Sequence, residues 1–144
     1  MGIYPDGGIF VLEYTGDPIN PTSFSWESII KNRTVWSIGM GNNNRLYYLT
    51  STGLNYYDIK AGPSPVIREN LYSYFPNISF GMGSDIKIDS QGNIWTISST
   101  QGVHLLLENT TYSPDINGLR EDSSPLLSDE VYDMDLDYKR KLAY

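Results

Sequence analysis

The chain has no cysteine, which excludes disulfides, thiolate zinc sites and cysteine nucleophiles but leaves the compartment open. It has one histidine, His104, and a lone imidazole builds neither a zinc site nor a Ser-His-Asp triad. Alanine is scarce and no segment carries a sustained, capped helical period, which argues against a helical fold. No apolar run approaches the roughly 18 residues a membrane-spanning helix needs, so membrane insertion is not expected. No signal peptide opens the sequence, so any export signal is expected outside it. Cationic clusters are missing too. Lys139-Arg140-Lys141 is the densest run, and three acids precede it. At a formal net charge of -7, the surface repels phosphate backbones and anionic lipid, so nucleic acid is not an expected partner.

What remains points to strands. The 144 residues are 40% hydrophobic and 13% aromatic, with 12 Tyr, 3 Trp and 13 Gly. That is enough apolar material for a real core and too much for a disordered chain. Tyr and Trp favour pleated sheets, and Gly favours the turns between strands.

The chain repeats itself. Val35-Trp36-Ser37-Ile38-Gly39-Met40, then Asn42-Asn43-Asn44-Arg45, then Leu46-Tyr47-Tyr48-Leu49 form one copy. Asp85-Ile86-Lys87-Ile88, Asp89-Ser90-Gln91-Gly92-Asn93 and Ile94-Trp95-Thr96-Ile97 form a second. Asp133-Met134-Asp135-Leu136, Asp137 to Lys141, and Leu142-Ala143-Tyr144 form a third. Ile38, Ile86 and Met134 recur forty-eight residues apart, as do Met40, Ile88 and Leu136. The same offset equates Leu46, Ile94 and Leu142, and sets Tyr144 on Thr96. Apolar residues at alternate positions mark strands. The polar cluster at Asp89–Asn93 marks a hairpin turn, with Gly92 suited to positive φ and Asp89 suited to capping the backbone. Third strands are expected after Gly8 (Ile9-Phe10-Val11-Leu12), after Gly53 (Leu54-Asn55-Tyr56-Tyr57) and after Gly102 (Val103 to Leu107). Ser25–Ile29 and Leu71–Phe75 are the candidates for fourth strands. Gly16–Pro21, Ala61–Pro65 and Ser113–Pro125 read as loops.

A period of this length with several short strands fits the blades of a β-propeller. The expected architecture is all-β, with about three four-stranded antiparallel blades cut within a strand at the termini. Residues 1–30 form a trailing half blade, 31–80 and 81–128 a blade each, and 129–144 a leading half blade. An open arc of this kind leaves apolar faces and strand edges uncovered. A ring completed by oligomerisation is therefore expected, through exposed blade faces and severed strand edges. A piece of a longer array is the other expectation, and the two are compatible.

The run Ile86-x-Ile88-Asp89-x-x-Gly92-Asn93-Ile94-Trp95-x-x-x-Ser99-x-x-Gly102-Val103 resembles the repeat of two-component-regulator propellers. The first copy matches through Asn42, Leu46, Tyr47, Thr50, Gly53, Leu54, Tyr57 and Asp58, with Tyr47 in place of Trp. The third keeps Asp137 and Leu142 but has Lys or Arg where Gly is expected. Leu127-Ser128-Asp129-Glu130-Val131 resembles the lead-in to such a repeat. The resemblance implies a bacterial, periplasmic or extracellular propeller, and a sensor or surface role. It carries no catalytic residue, because these repeats are structural.

The remaining constellations are weak. Asp89 to Trp95 differs from the sialidase Asp-box, since Gly92 stands three residues after the Asp and no Thr precedes Trp95. Asp133, Asp135 and Asp137 alternate along one strand face, but lack the turn Gly and distal Glu of a calcium loop, so they read as solvated acids. His104 reads as a partly exposed strand residue. Glu13, Glu27, Glu69 and Glu108 lie in different units, with nothing to bring two of them to glycosidase spacing. Asn32-Arg33-Thr34, Asn77-Ile78-Ser79 and Asn109-Thr110-Thr111 match a glycosylation sequon. Trp36, Tyr47, Tyr48, Tyr56, Tyr57 and Trp95 suit either a carbohydrate or peptide site or the filling between blades, where rings contribute large buried area. No catalytic, cofactor or metal residue is assigned. The expected function is a non-enzymatic ligand- or protein-binding or structural module of a larger exported or sensor protein. The alternative is a fragment of a propeller glycan hydrolase or lyase whose catalytic residues lie elsewhere.

Overall fold

The computed structural model describes residues 7–59, 67–68, 78–108 and 118–144. The candidate strand Leu71–Phe75 and the loop Ala61–Pro65 lie outside them. Among the described residues the chain is all-β, without an α-helix, and forms small antiparallel sheets. It divides into two compact units, Met1–Val35 and Trp36–Tyr144.

The first unit holds a long hairpin of β1 (Gly8–Gly16) and β2 (Pro21–Lys31). Asp17 builds its turn, accepting the Ile19 amide at 2.8 Å on Oδ1 and the Asn20 amide at 3.1 Å on its carbonyl. Leu12 lies opposite Trp26, and Tyr14 opposite Phe24. The two-residue period puts these four and Phe10 on one face, and all five are exposed. Ile9 and Ile30 meet at the base of the hairpin and are buried.

The second unit contains the repeats. Its first sheet runs β3 (Ser37–Met40), β4 (Arg45–Thr50), β5 (Gly53–Asp58), β6 (Ile67–Arg68), each antiparallel to the next. The next sheet runs β7 (Asp85–Ile88), β8 (Ile94–Ser98), β9 (Gly102–Leu106). A single antiparallel bridge, Val103 to Leu119, lies on its outer edge. The last is the short hairpin β10 (Leu136–Asp137) and β11 (Leu142–Ala143). The expectation of four strands in each sheet therefore holds in one sheet of the described residues. The β1–β2 and β10–β11 sheets have two strands, and the β7 sheet has three. The expected fourth strand at Ser25–Ile29 lies within β2.

Register follows the repeat. Met40 faces Leu46 in the first hairpin, and Ile88 faces Ile94 in the second. In the third the spacing slips: Leu136 faces Ala143, and Asp137 faces Leu142. One extra residue in the turn causes the slip, and it corrects the expected equivalence. Ala143, not Leu142, takes the place of Leu46 and Ile94, and Tyr144 takes that of Tyr47 and Trp95 rather than Thr96. The left-handed turn position moves with it. Asn44 (φ 58), Gly92 (φ 89) and Lys141 (φ 57) occupy it in turn. Asn tolerates this conformation, whereas Lys there is strained.

Two apolar clusters join the sheets of this unit. The first gathers Leu49, Leu54, Ile78, Phe80, Ile86, Ile94 and Leu106, with Trp36, Tyr47 and Ile88 against it. The second gathers Ile97, Val103 and Met134, with Trp95, Leu126, Val131 and Leu136 against it. They are one cluster met twice. Leu49, Ile78, Ile86, Ile88 and Tyr47 return one repeat later as Ile97, Leu126, Met134, Leu136 and Trp95. Leu54 returns as Val103, one residue late, because the second turn of that sheet is one residue longer. A polar tie accompanies the packing. The Ser37 hydroxyl donates to Asp85, its counterpart 48 residues on, at 2.6 Å, and accepts from the Ile86 amide at 3.3 Å.

Leu54→Ala removes a fully buried side chain from the first cluster. It is expected to cost about 2–5 kcal/mol by denaturant titration. Leu127→Ala, at a side chain 96% exposed, is expected to change stability by less than about 0.5 kcal/mol.

Candidate functional site

The Asp89 turn is the most elaborate polar constellation the sequence points to. Its Oδ1 accepts the Gln91 and Asn93 amides, both at 2.9 Å. Its Oδ2 accepts the Asn93 carboxamide at 2.8 Å and the Trp95 indole N–H at 3.2 Å. Asn93 in turn accepts the Glu108 amide at 2.9 Å. Gly92 is required here twice over. Its φ is left-handed, and a Cβ would press within 2.7 Å of the Glu108 carboxyl and 2.9 Å of the Asn42 carboxamide. Partial burial works against the Asp89 charge, but the bonds from Asn93, Trp95 and Gln91 outweigh it and hold the carboxyl below its ordinary value. A carboxylate with its lone pairs taken up in this way fixes a turn and is not poised for proton transfer.

The other acids are occupied similarly. Asp133 and Asp135 each accept the next residue's amide, at 2.8 and 2.9 Å, and Asp137 accepts those of Lys139 and Arg140, both at 3.0 Å. β10 begins only at Leu136, so the three do not share one strand face as the alternation suggested. Asp135 instead exchanges backbone bonds with Tyr144 at 3.1 and 2.9 Å. Lys87 pairs with Asp85 at 3.2 Å, and that hydrogen bond raises its pKa, with Asp133 and Asp135 adding to the effect. Asp129, in the lead-in segment, accepts the Glu121 amide at 2.9 Å and pairs with Arg120 at 3.2 Å, and its carbonyl takes the Gly102 amide at 2.9 Å. The described residues contain no group of three or more His, Asp or Glu that could hold a metal ion.

His104 is buried, 1% exposed, not partly exposed as its strand position suggested. It stands where β5 has Asn55, and both are sheet-interior polar groups that clamp the turn before them. The His104 Nε2 lies 2.9 Å from the Gln101 carbonyl, and the Asn55 carboxamide donates to the Gly53 carbonyl at 3.0 Å and to the Thr50 hydroxyl at 3.2 Å. The pattern shared by the two copies, a polar residue two places after the turn glycine, is the signal that could have identified this role.

Of the aromatic residues, Tyr48 and Tyr57 are core, and Trp36, Tyr47 and Trp95 pack on the clusters. Tyr56 lies 5.9 Å from Tyr47 between ring centres, with the Arg45 guanidinium 4.6 Å over its face. A hydrogen bond to Tyr47 raises the Arg45 pKa further. Glu13 and Glu27 lie on the β1–β2 hairpin and Glu108 beside the Asp89 turn. Asn32 takes a left-handed φ of 55 just after β2. Glu69, Asn77 and Asn109 to Thr111 lie outside the described residues. The surface feature that sequence reasoning missed is the exposed apolar face of β1–β2. The alternation of Phe10, Leu12 and Tyr14 marks it, but only the register with Phe24 and Trp26 completes it.

Removing the Asp89 clamp by Asp89→Ala is expected to destabilise the chain by about 0.5–2 kcal/mol at neutral pH, the range of a lost cap. Because the folded carboxyl titrates below its ordinary value, its contribution is complete above the unfolded value and is lost as pH falls through the folded one. The gap in stability between wild type and variant should therefore shrink in acid unfolding series below about pH 4.

No family model matches the chain, and no curated protein matches it. Among solved structures, PorZ is similar in fold, with a TM-score of 0.65 and 17% identity over 95% of this chain. PorZ is described as an essential bacterial surface component of the type-IX secretion system of Porphyromonas gingivalis. The chain spans 21% of the PorZ chain, and at this identity the likeness concerns fold alone.

Proposed function

We propose that the chain is a set of β-propeller blades of the two-component-regulator type, serving as a non-enzymatic interaction module of a larger exported bacterial protein. The observation that carries this reading is the duplicated cluster. The β7–β9 sheet offers apolar side chains on both faces, one packed against Leu49 and Leu54 of the sheet before it and the other against Met134 and Leu136 of the repeat after it. Stacking of small antiparallel sheets in this way is how propeller blades bury themselves. In this reading residues 31–80 and 81–128 are blades, 1–30 and 129–144 are halves of others, and the ligand class is a peptide or carbohydrate held by the scaffold. The likeness to a bacterial surface component supports a periplasmic or extracellular setting. The engaged carboxylates and the clamped His104 favour a structural over a catalytic role for this stretch.

The reading is tested by separating binding from turnover. The chain is incubated with a panel of oligosaccharides and peptides. Unfolding is followed by heat, and products by mass spectrometry. A raised Tm with intact ligand is expected. Release of a cleaved glycan or peptide would overturn the reading in favour of a propeller hydrolase or lyase.

A further inference from the structure

With no cysteine in the chain, its oxidisable sulfur is all thioether. Among the described residues these thioethers are Met40, Met82 and Met134, and their settings differ. Met134 is 4% exposed and closes the second cluster with Ile97 and Val103. Met40 is 55% exposed at the end of β3, opposite Leu46. Met82 is 83% exposed, in the tight turn Gly81-Met82-Gly83-Ser84.

This turn holds itself without the methionine. The Ser84 amide donates to the Gly81 carbonyl at 3.0 Å, and the Ser84 hydroxyl accepts the Gly81 amide at 2.9 Å. Gly83 supplies a left-handed φ of 84 at the third position of the turn. A Cβ on Gly83 would come within 3.3 Å of the Ser99 Cβ, so the glycine packs closely on the β8–β9 turn. None of these ties passes through the Met82 side chain. The repeat also marks the place as one that belongs to solvent. Forty-eight residues before and after Met82 stand Thr34 and Glu130, and both are exposed. Two copies put a polar side chain there and the third puts a thioether. At this exposure burial contributes little, so packing does not account for the methionine.

We propose that Met82 is a reversible oxidation site for peroxides, oxidised ahead of Met40 and Met134 and without loss of the fold. The thioether sulfur attacks one peroxide oxygen. The S–O bond forms as the O–O bond breaks, and a proton passes to the departing oxygen. Sulfur gives up two electrons and becomes the sulfoxide, while hydrogen peroxide is reduced to water, or an alkyl hydroperoxide to the alcohol. At Met134 the same step requires the second cluster to open first, because a polar sulfoxide has no partner among Ile97, Val103 and Leu136. At Met82 it turns the tip of one turn from apolar to polar, beside the β8–β9 turn. The exposed tip also presents the sulfoxide to reductases, which remove the oxygen again. The proposal does not rest on the propeller reading and stands or falls separately from it.

The test treats the intact chain with hydrogen peroxide in a time series. Sites are read by peptide mass mapping, and the fold by thermal unfolding. Met82 is expected to take up oxygen first and Met40 next, with Met134 slower than Met82 by more than about tenfold. Tm should be unchanged when Met82 alone is oxidised. Methionine sulfoxide reductases for both epimers should return Met82 to the thioether. Met82→Leu should abolish the first event, keep the wild-type Tm and leave the rates at Met40 and Met134 unchanged. Faster uptake at Met40 or Met134 than at Met82 overturns the proposal. So does a Tm that falls as the Met82 sulfoxide accumulates, or a sulfoxide there that the reductases leave in place.

Discussion

The constraint on which the second unit depends is that a small sheet apolar on both faces cannot bury itself. Ile94 and Leu106 project to one side of β8–β9, and Ile97 and Val103 to the other. Fully covering a side chain of this kind stabilises by about 1.5–3 kcal/mol, and leaving it wet forfeits that gain. Each sheet therefore needs a neighbour on either side, and the repeat supplies neighbours of uniform chemistry. The offset of forty-eight residues is the chain length needed to build one sheet and arrive, in register, at the next. Ser37 and Asp85 show this most directly, as equivalent residues bonded to each other across two sheets.

Packing fixes which face of each strand turns inward, but apolar contacts have no direction and leave the path of the connecting turns to be set by other groups. Polar clamps at the turns do that work. Asp89 gathers amides, a carboxamide and an indole into one carboxylate, and Asp137 repeats part of the arrangement one repeat later. Asn55 and His104 fix the turn that precedes them in successive sheets, through different donor chemistry at one position. These buried polar groups lie close to the apolar clusters, where a one-residue slip in pairing would turn every side chain to the wrong face. The acidity of the chain is thus partly structural, with several carboxylates consumed in tying backbone.

Much of this was legible in the sequence because strand alternation and turn chemistry are local signals. The strands that open at Gly8, Gly53 and Gly102, the matched packing of Ile86 and Met134 in successive clusters, and the capping role of Asp89 all follow from short stretches. Positions that depend on loop length were not legible. The β10–β11 turn carries one extra residue, so Ala143 and Tyr144 fall where a rigid offset puts Leu142 and Ala143. The left-handed position is held by Lys141, a residue type that gives no warning. The burial of His104 is a matter of which strands flank β9, and alternation with Val103 and Leu105 does not reveal it. The exposed face of β1–β2 is likewise a product of register, since Phe24 and Trp26 join Leu12 and Tyr14 only across the hairpin.

The slip also shows what the pattern conserves. Had the third hairpin kept the strict offset, Tyr144 would point to the side where Thr96 points, and Leu142 would stand at the place of Ile94. With the extra residue, an aromatic ring returns to the position of Tyr47 and Trp95, at the cost of a strained Lys141. Strain of this kind costs on the order of 1–2 kcal/mol for a residue with a Cβ. A large ring packed against a following sheet recovers more than that, whereas a ring left in water recovers nothing. In the two preceding repeats that position is packed, by Tyr47 and by Trp95, against the apolar cluster that joins one sheet to the next.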